Sequence, residues 1–510
     1  MVKRTTTRLD VTLLAVAVLF GIGHLAYPYG REHALMAYAG REWLLRGAAP
    51  YQSTFVQDGP GLVLLSGIAT ILGGGKAFVL RAFSLVAAVA TGWLAPSLVA
   101  DGPTRRRVPL RGIAALAASL FAHGAFDFWD SGRGGTFVAF FAMTSYVLAF
   151  RARPRITSAF ACGLAASAAL LVWPASWWFV WPAPLVGAFR TGRAAGALAA
   201  LLGSVLPVAL VAVALGPHAS ADAYELLWQA RCLYLGPRRD DAMAFVAVLE
   251  DVVAVYAPVA PSLVAAFVLA CFLDVSASQR RRRRARRLSV AILAVATVAA
   301  VHSLRRYFFE YEVLVLVVPL LVTVIVADVV TWFGERRALR TSLVSTLVGV
   351  SLFAVGAYLS DWSATGIVQR RGALLAHVLG AIDGVAYRAT FARDDIGYRP
   401  AEIAEVSTRL RAMVEPGDEV SVRGFEPDIY LRAGVHFSGR FSTTPAIQWD
   451  SCAYRRADWI REDRESLLHP PRWVVALDAL PGLDDPSSYS AAGYVERTRT
   501  EHFIVLEKKP

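Results

Sequence analysis

Cysteine is scarce in this chain, with four in 510 residues, too few for a disulfide scaffold. Cys162 and Cys271 fall inside apolar runs and read as small packing residues. Cys232 and Cys452 fall on the outer side of the topology derived below, where an oxidising compartment permits a disulfide, but nothing in the sequence brings them together. His24, His33, His123, His218 and His302 show no H-x-x-x-H spacing, which removes the usual zinc-hydrolase pattern. "GGG" at 73–75 does not complete a G-x-x-x-x-G-K-[S/T] phosphate loop, and there is no G-x-S-x-G nucleophile elbow. Soluble nucleotide chemistry and serine-hydrolase chemistry are therefore unsupported. A formal charge of +12 invites a nucleic-acid reading, yet no base-stacking or groove-reading element accompanies the arginines.

What is abundant is apolar surface. Hydrophobic residues make up 56% of the chain, and the mean hydropathy is +0.46. That is too apolar for a protein whose whole surface meets water. A bilayer core is about 30 Å thick and a helix rises about 1.5 Å per residue, so a span needs roughly 20 mainly apolar residues. Candidate spans fall near 11–28, 77–100, 112–126, 136–150, 157–173, 176–189, 196–215, 245–273, 288–303, 312–333 and 341–360. The first follows "MVKRTTTR" but lacks a small-residue cleavage site, so it reads as a retained span rather than a signal peptide.

The arginines explain themselves as topology. "RRRVPLR", "RARPR", "RTGR", "RRRRRARR" and "ERRALR" sit between apolar runs and belong on the cytoplasmic side by the positive-inside rule. The expected fold class is a polytopic α-helical membrane protein of about eleven spans, N-terminus inside and C-terminus outside, in the plasma (inner) membrane. A domain boundary is expected at 362/363, with outer loops at 29–76 and 127–135 in the first domain. The run from Gly61 to Leu72 is apolar but too short to span and reads as a re-entrant or interfacial helix.

After Trp362 the composition becomes that of a soluble domain. Residues 401–425 read as an amphipathic helix, a Pro-Gly turn and a strand, 472–478 as a buried strand and 493–509 as a closing hairpin. The expectation is an extracytoplasmic α/β domain over 363–510.

The densest early polar chemistry is "YPYGREHALMAYAGREWLLRGAAPYQSTFVQDGPG", Tyr27 to Gly61, where the first span ends. Its periodicity predicts a helix with Leu35, Tyr38, Trp43 and Leu45 on an apolar face and Arg31, Glu32, Arg41, Glu42 and Arg46 polar, lying along the membrane interface. An interfacial helix does not account for the ordered string ahead of it. Tyr27-Pro28, Gly30-Arg31-Glu32, Tyr38, Gly40, Trp43-Leu44, Gly47, Pro50-Tyr51 and Gly59-Pro60-Gly61 resemble the motif that follows the first span in GT-C membrane glycosyltransferases. The likeness is to the branch of protein O-mannosyltransferases and bacterial lipid A sugar transferases.

That resemblance implies transfer of a sugar from a polyprenyl-phosphate donor to a glycan, lipid or protein acceptor outside the membrane. It implies a carboxylate base at Glu32, where the family usually has aspartate. Three further departures stand out. Asp58 occupies the position where many relatives carry lysine, and Glu310 the position where histidine is common. In "FWDSGRGGTF" of the second outer loop, Gly135 stands where a second acid is expected, leaving Asp130 or Asp127 as substitutes. For the donor phosphate the candidates are Arg306, then Arg305, beside Tyr307 in "HSLRRYFFEYE", together with Arg133. Arg31 and Tyr51 complete the candidate substrate contacts, and Arg238 and Arg239 read as an interfacial anchor. Glu32, Asp58, Asp130 and Glu310 are a possible carboxylate set for a divalent cation, but no spacing motif supports one, and the need for metal stays open.

Two other classes compete with the transferase. The departures at Asp58, Gly135 and Glu310 suit a non-catalytic relative that binds a lipid-linked glycan or scaffolds an envelope complex. A transporter fits less well, because intramembrane acids and paired broken helices are scarce.

Overall fold

The computed structural model describes residues 8–99, 109–124, 132–150, 155–191, 194–229, 364–393, 397–415, 417–437, 439–443, 456–466, 471–477 and 492–509, with Phe128 and a few positions near 320. The expected spans over 245–303 and 341–360 lie outside the described residues. The described chain forms two compact units: Met1–Leu25 with Arg81–Ala209 and Asp240–Val368, and Ala26–Leu80 with Leu210–Arg239 and Gln369–Pro510.

The first unit is helical. It contains α1 (Arg8–Ile22), α4 (Phe78–Leu94, entered three residues before the unit boundary), α5 (Leu110–Gly124), α6 (Gly134–Ala149), α7 (Ile156–Val172), α8 (Pro182–Thr191) and the start of α9 (Ala194–Tyr224). Among the described residues, three helical stretches, Arg8–Ala26, Phe78–Leu98 and Ala194–Leu227, are long and apolar enough to cross a membrane. The helices α5, α6 and α7 are equally apolar but only 15, 16 and 17 residues long, at the short end of what crosses about 30 Å of hydrocarbon. Where one span is expected over 176–189, the chain forms a short helix, Trp177–Val180, and then α8, which restarts at Pro182 because proline fits a helix's first turn but not its interior.

Small residues let these helices approach. Ala17, Leu85, Val89 and Ala115 form one cluster between α1, α4 and α5. The Ser119 hydroxyl donates to the Ala17 carbonyl at 2.7 Å, and the Asp10 carboxylate accepts from the Gly112 amide at 2.9 Å. Cys162 is buried and free, its sulfur 3.2 Å from the Ser145 hydroxyl, which fits the packing role read from the sequence.

The second unit joins the motif segment to an α/β body. The segment forms α2 (Arg31–Arg46) and α3 (Pro60–Leu72). The body comprises α10 (Ala364–Val378), α11 (Gly384–Ala389), α12 (Pro400–Met413), α13 (Asp428–Ala433) and α14 (Arg456–Ser466), α10 beginning just ahead of the unit boundary, with β1 (Val420–Arg423), β2 (Trp473–Leu477), β3 (Tyr494–Arg499) and β4 (Phe503–Lys508). The sheet order is β1-β2-β4-β3. β1 runs parallel to β2 with Val420 opposite Trp473, β4 is antiparallel to β2, and β3 and β4 form a hairpin. The helix, turn and strands fall where the sequence patterning puts them. Val474, Ala476, Tyr494, Ile504 and Leu506 make a core on the sheet, while Arg423 and Asp463 form a two-pronged ion pair at 3.0 Å, both buried.

The α2 helix departs from the expectation of a surface helix. It packs on α3 and α13, and its central residues, His33 to Gly40, are all buried. Leu45, expected on a common apolar face with Tyr38, is exposed, and Tyr38 is 1% exposed. The reason is that small residues of α2 meet α3, while Arg31 and Arg41 of its polar face bond to the α/β body.

Candidate active site

The motif residues build the start of α2. Tyr29 extends the chain into Gly30, whose extended backbone caps the helix without a side-chain hydrogen bond. The Tyr29 hydroxyl donates to the Lys76 carbonyl at 3.1 Å and lies 3.1 Å from the Thr70 hydroxyl. Its own carbonyl accepts from the Tyr398 hydroxyl at 2.5 Å. The helix therefore begins at a fixed place between α3 and the α/β body. Glu32 sits in the first turn, half-buried. The exposed amides and aligned dipole of that turn favour a negative charge.

Arg31 faces the α/β body. Its Nε donates to Glu426 Oε1 at 2.8 Å, one Nη donates to the same oxygen, and that Nη also donates to the Gly397 carbonyl at 3.0 Å. The guanidinium carbon lies 5.7 Å from the Tyr398 ring centre and 5.9 Å from that of Phe425. Glu426 is 1% exposed, and its second oxygen is buried with no hydrogen bond among the described residues. Burial pushes the Glu426 carboxyl up to about 7, against the pull of Arg31, while Asp428 and Glu402 push it the same way as burial. Two residues on, Asp428 accepts from Arg432 Nε at 2.5 Å.

Farther along α2, the Tyr38 ring stacks on Tyr430 at 4.5 Å. The Tyr38 hydroxyl accepts from the Phe437 amide at 3.0 Å and donates to its carbonyl at 3.3 Å. Burial raises its pKa first, and the nearby Glu42 adds to that. Arg41 donates to the carbonyls of Tyr430 and Val435 at 3.4 and 2.9 Å and to Glu42 at 2.8 Å. Gly40 faces Gly67 of α3 so closely that a Cβ on Gly40 would lie 2.2 Å from the Val63 carbonyl oxygen. Backbone-to-backbone contact is what the motif glycine permits.

Tyr51 is fully buried, holds a left-handed φ of 72°, and donates its hydroxyl to the Asp58 carbonyl at 2.7 Å. This closes the loop that returns to Gly59, the cap of α3, with Pro60 in its first turn. The structure thus brings Arg31, Glu32, Tyr51 and Asp58 into one unit. Arg133 caps α6 in the other unit, and Gly135 is buried in the first turn of that helix. Asp130, Asp127, Arg238, Arg239, Arg305, Arg306, Tyr307 and Glu310 lie outside the described residues. Among the described residues no group of three His, Cys, Asp or Glu side chains stands ready to hold a metal ion.

Sequence reasoning missed Glu426 and Tyr398 as members of this constellation. A signal existed for the first, because "GFEPDIYLRAG" places two acids and an arginine on a strand-to-helix turn of an otherwise apolar stretch. For Tyr398 there was none, since its partner Tyr29 is far away in sequence.

No known protein-family model matches the chain, and no curated protein matches it. Solved structures do. ArnT from Cupriavidus metallidurans bound to undecaprenyl phosphate aligns over 98% of this chain and 99% of its own, at 13% identity and a TM-score of 0.54. The apo state of the same protein aligns over 98% of each chain, at 14% identity and a TM-score of 0.55. A likeness to the Archaeoglobus fulgidus oligosaccharyltransferase, at 12% identity over 91% of this chain and 68% of that one, has a TM-score of 0.46, too low to carry weight. The GT-C resemblance carried by the motif from Tyr27 to Gly61 is borne out at the level of fold: along nearly its whole length, this chain has the fold of ArnT.

Proposed function

We propose that this protein is an integral-membrane glycosyltransferase that moves a sugar from a polyprenyl-phosphate carrier to an acceptor hydroxyl in the cell envelope, with inversion at the anomeric carbon. The acceptor oxygen attacks the anomeric carbon while the bond from that carbon to the phosphate oxygen breaks, and polyprenyl phosphate leaves with the bonding electrons. Glu32 takes the acceptor's proton. The leaving phosphate needs cations rather than an acid, and Arg133, Arg305 and Arg306 are the proposed donors, with Tyr307 and Glu310 as further proposed substrate contacts. Asp130 is the proposed second acid. The loops 29–76 and 127–135 and the α/β domain belong on the extracytoplasmic side in this reading.

One observation carries it: a carboxylate sits in the first turn of the helix that opens the motif segment, on a chain with the fold of ArnT. A lipid-linked sugar presents its phosphate at the membrane surface, which is where a span must give way to catalytic polar groups. Undecaprenyl phosphate, bound in that ArnT structure, has the carrier chemistry proposed. The test is reconstitution in lipid discs with a panel of polyprenyl-phosphate sugars and an envelope extract as acceptor, following free polyprenyl phosphate. Release from one donor class supports the reading and names the sugar. Lipid binding with no release from any donor favours the second reading, a non-catalytic glycolipid-binding relative, for which Gly135 at the second-acid position speaks.

A further inference from the structure

We infer that Glu426 is a positioning residue for the proposed transfer: it holds Arg31, and through Arg31 it fixes the first turn of α2 on which Glu32 sits. The inference rests on the transferase reading for its catalytic consequence, but not for its geometry.

The arrangement is costly and so calls for a reason. A carboxylate that is 1% exposed pairs with an arginine side chain that is 11% exposed, and a well-packed apolar pair of similar volume is often no less stable. What the ion pair supplies instead is direction. One Glu426 oxygen takes two of the guanidinium donors, the Gly397 carbonyl takes a further bond, and Tyr398 and Phe425 flank the cation. Arg31 is thereby held on several sides at the first residue of α2, immediately before Glu32. The flanking Tyr398 also ties its hydroxyl to the Tyr29 carbonyl, so the backbone is fixed on both sides of the Gly30 cap. A base that must meet an acceptor hydroxyl at hydrogen-bond distance depends on placement of this kind.

The clamp responds to pH. The charged groups around Glu426 are Arg31 on α2, Asp428 on α13 at its own turn, and Glu402 on α12. Burial and the two acids outweigh Arg31 and bring its titration to about 7. Below that pH Glu426 is neutral and its hold on Arg31 weakens. Above it the ion pair is complete.

The test uses the full-length protein in lipid discs as wild type, Glu426→Gln and Glu32→Gln. Glutamine keeps the shape and an acceptor oxygen but removes the charge. Two readouts are followed: polyprenyl phosphate release from pH 5.5 to 9, and amide hydrogen exchange over the first turns of α2, where the Ala34 amide donates to the Gly30 carbonyl at 2.9 Å. The expected result for Glu426→Gln is a kcat about tenfold lower at pH 8 with KM for the donor within about twofold, loss of the activity limb near pH 7, and exchange about tenfold faster in that turn alone. An unchanged kcat, a limb that persists in the glutamine variant, or unchanged exchange would each overturn the proposal. If the wild type is inactive on every donor, exchange still decides: faster exchange in Glu426→Gln upholds the clamp while the transferase reading fails, and equal exchange removes the clamp.

Discussion

Three residues at the start of α2 stand in order: Gly30 caps, Arg31 anchors and Glu32 sits half-buried in the first turn. Replacing Glu32 by glutamine should lower kcat by about 10²–10⁴-fold with little change in thermal stability, because the proposed base is lost and the anchor is not. Glu426→Gln should instead change how stability depends on pH. Its carboxyl titrates near 7 in the folded chain, against about 4.3 for a free glutamate, so between those values the native state holds a proton that the unfolded chain has lost. Folding stability then falls as pH rises through that window. The glutamine variant should lack that slope in a plot of Tm against pH. The position of Glu32 was legible in the sequence because the motif is local and ordered. Its anchor was not, because the Arg31–Glu426 pair joins residues separated by 395 positions and no periodicity reports such a contact.

At the scale of elements, the motif reads as packing as much as chemistry. Gly40 and Gly67 let α2 and α3 touch along their backbones, whereas a Cβ on Gly47, at the end of α2, meets nothing within 4 Å. Gly40→Ala should cost about 1–3 kcal/mol through overpacking, and more if the helices cannot part. Gly47→Ala should cost only about 1 kcal/mol, for the left-handed backbone at φ 70°. Thermal unfolding of the two variants in discs checks the order. The helices and strands were legible because their periods differ, 3.6 against 2, and because Pro60, Pro400 and the Pro-Gly turn at 416–417 mark their ends. The environment of α2 was not. An amphipathic pattern states that one face avoids water, and only tertiary structure states that Arg31 and Arg41 of the polar face bond to the α/β body.

At the scale of the molecule, the motif segment and the α/β body share one core. Phe55, in the loop between α2 and α3, packs edge-on against Trp459 of α14 at 5.0 Å, and its amide donates to the Arg440 carbonyl at 2.8 Å. Damage to that body should therefore reach α2. Asp463→Ala leaves Arg423 buried without its partner carboxylate and should cost about 3–5 kcal/mol, with faster amide exchange in β1 and in α2 together. Faster exchange in β1 alone would separate the two. The chain is similar in fold to ArnT, and the transfer proposed above is tested most directly at Glu32. The most direct measurement is single-turnover release of polyprenyl phosphate from a polyprenyl-phosphate sugar in lipid discs, comparing wild type with Glu32→Gln at pH 8. The account predicts release by the wild type and at least a hundredfold slower release by the variant with donor binding intact. Equal release by both proteins would contradict the assignment of Glu32 as base.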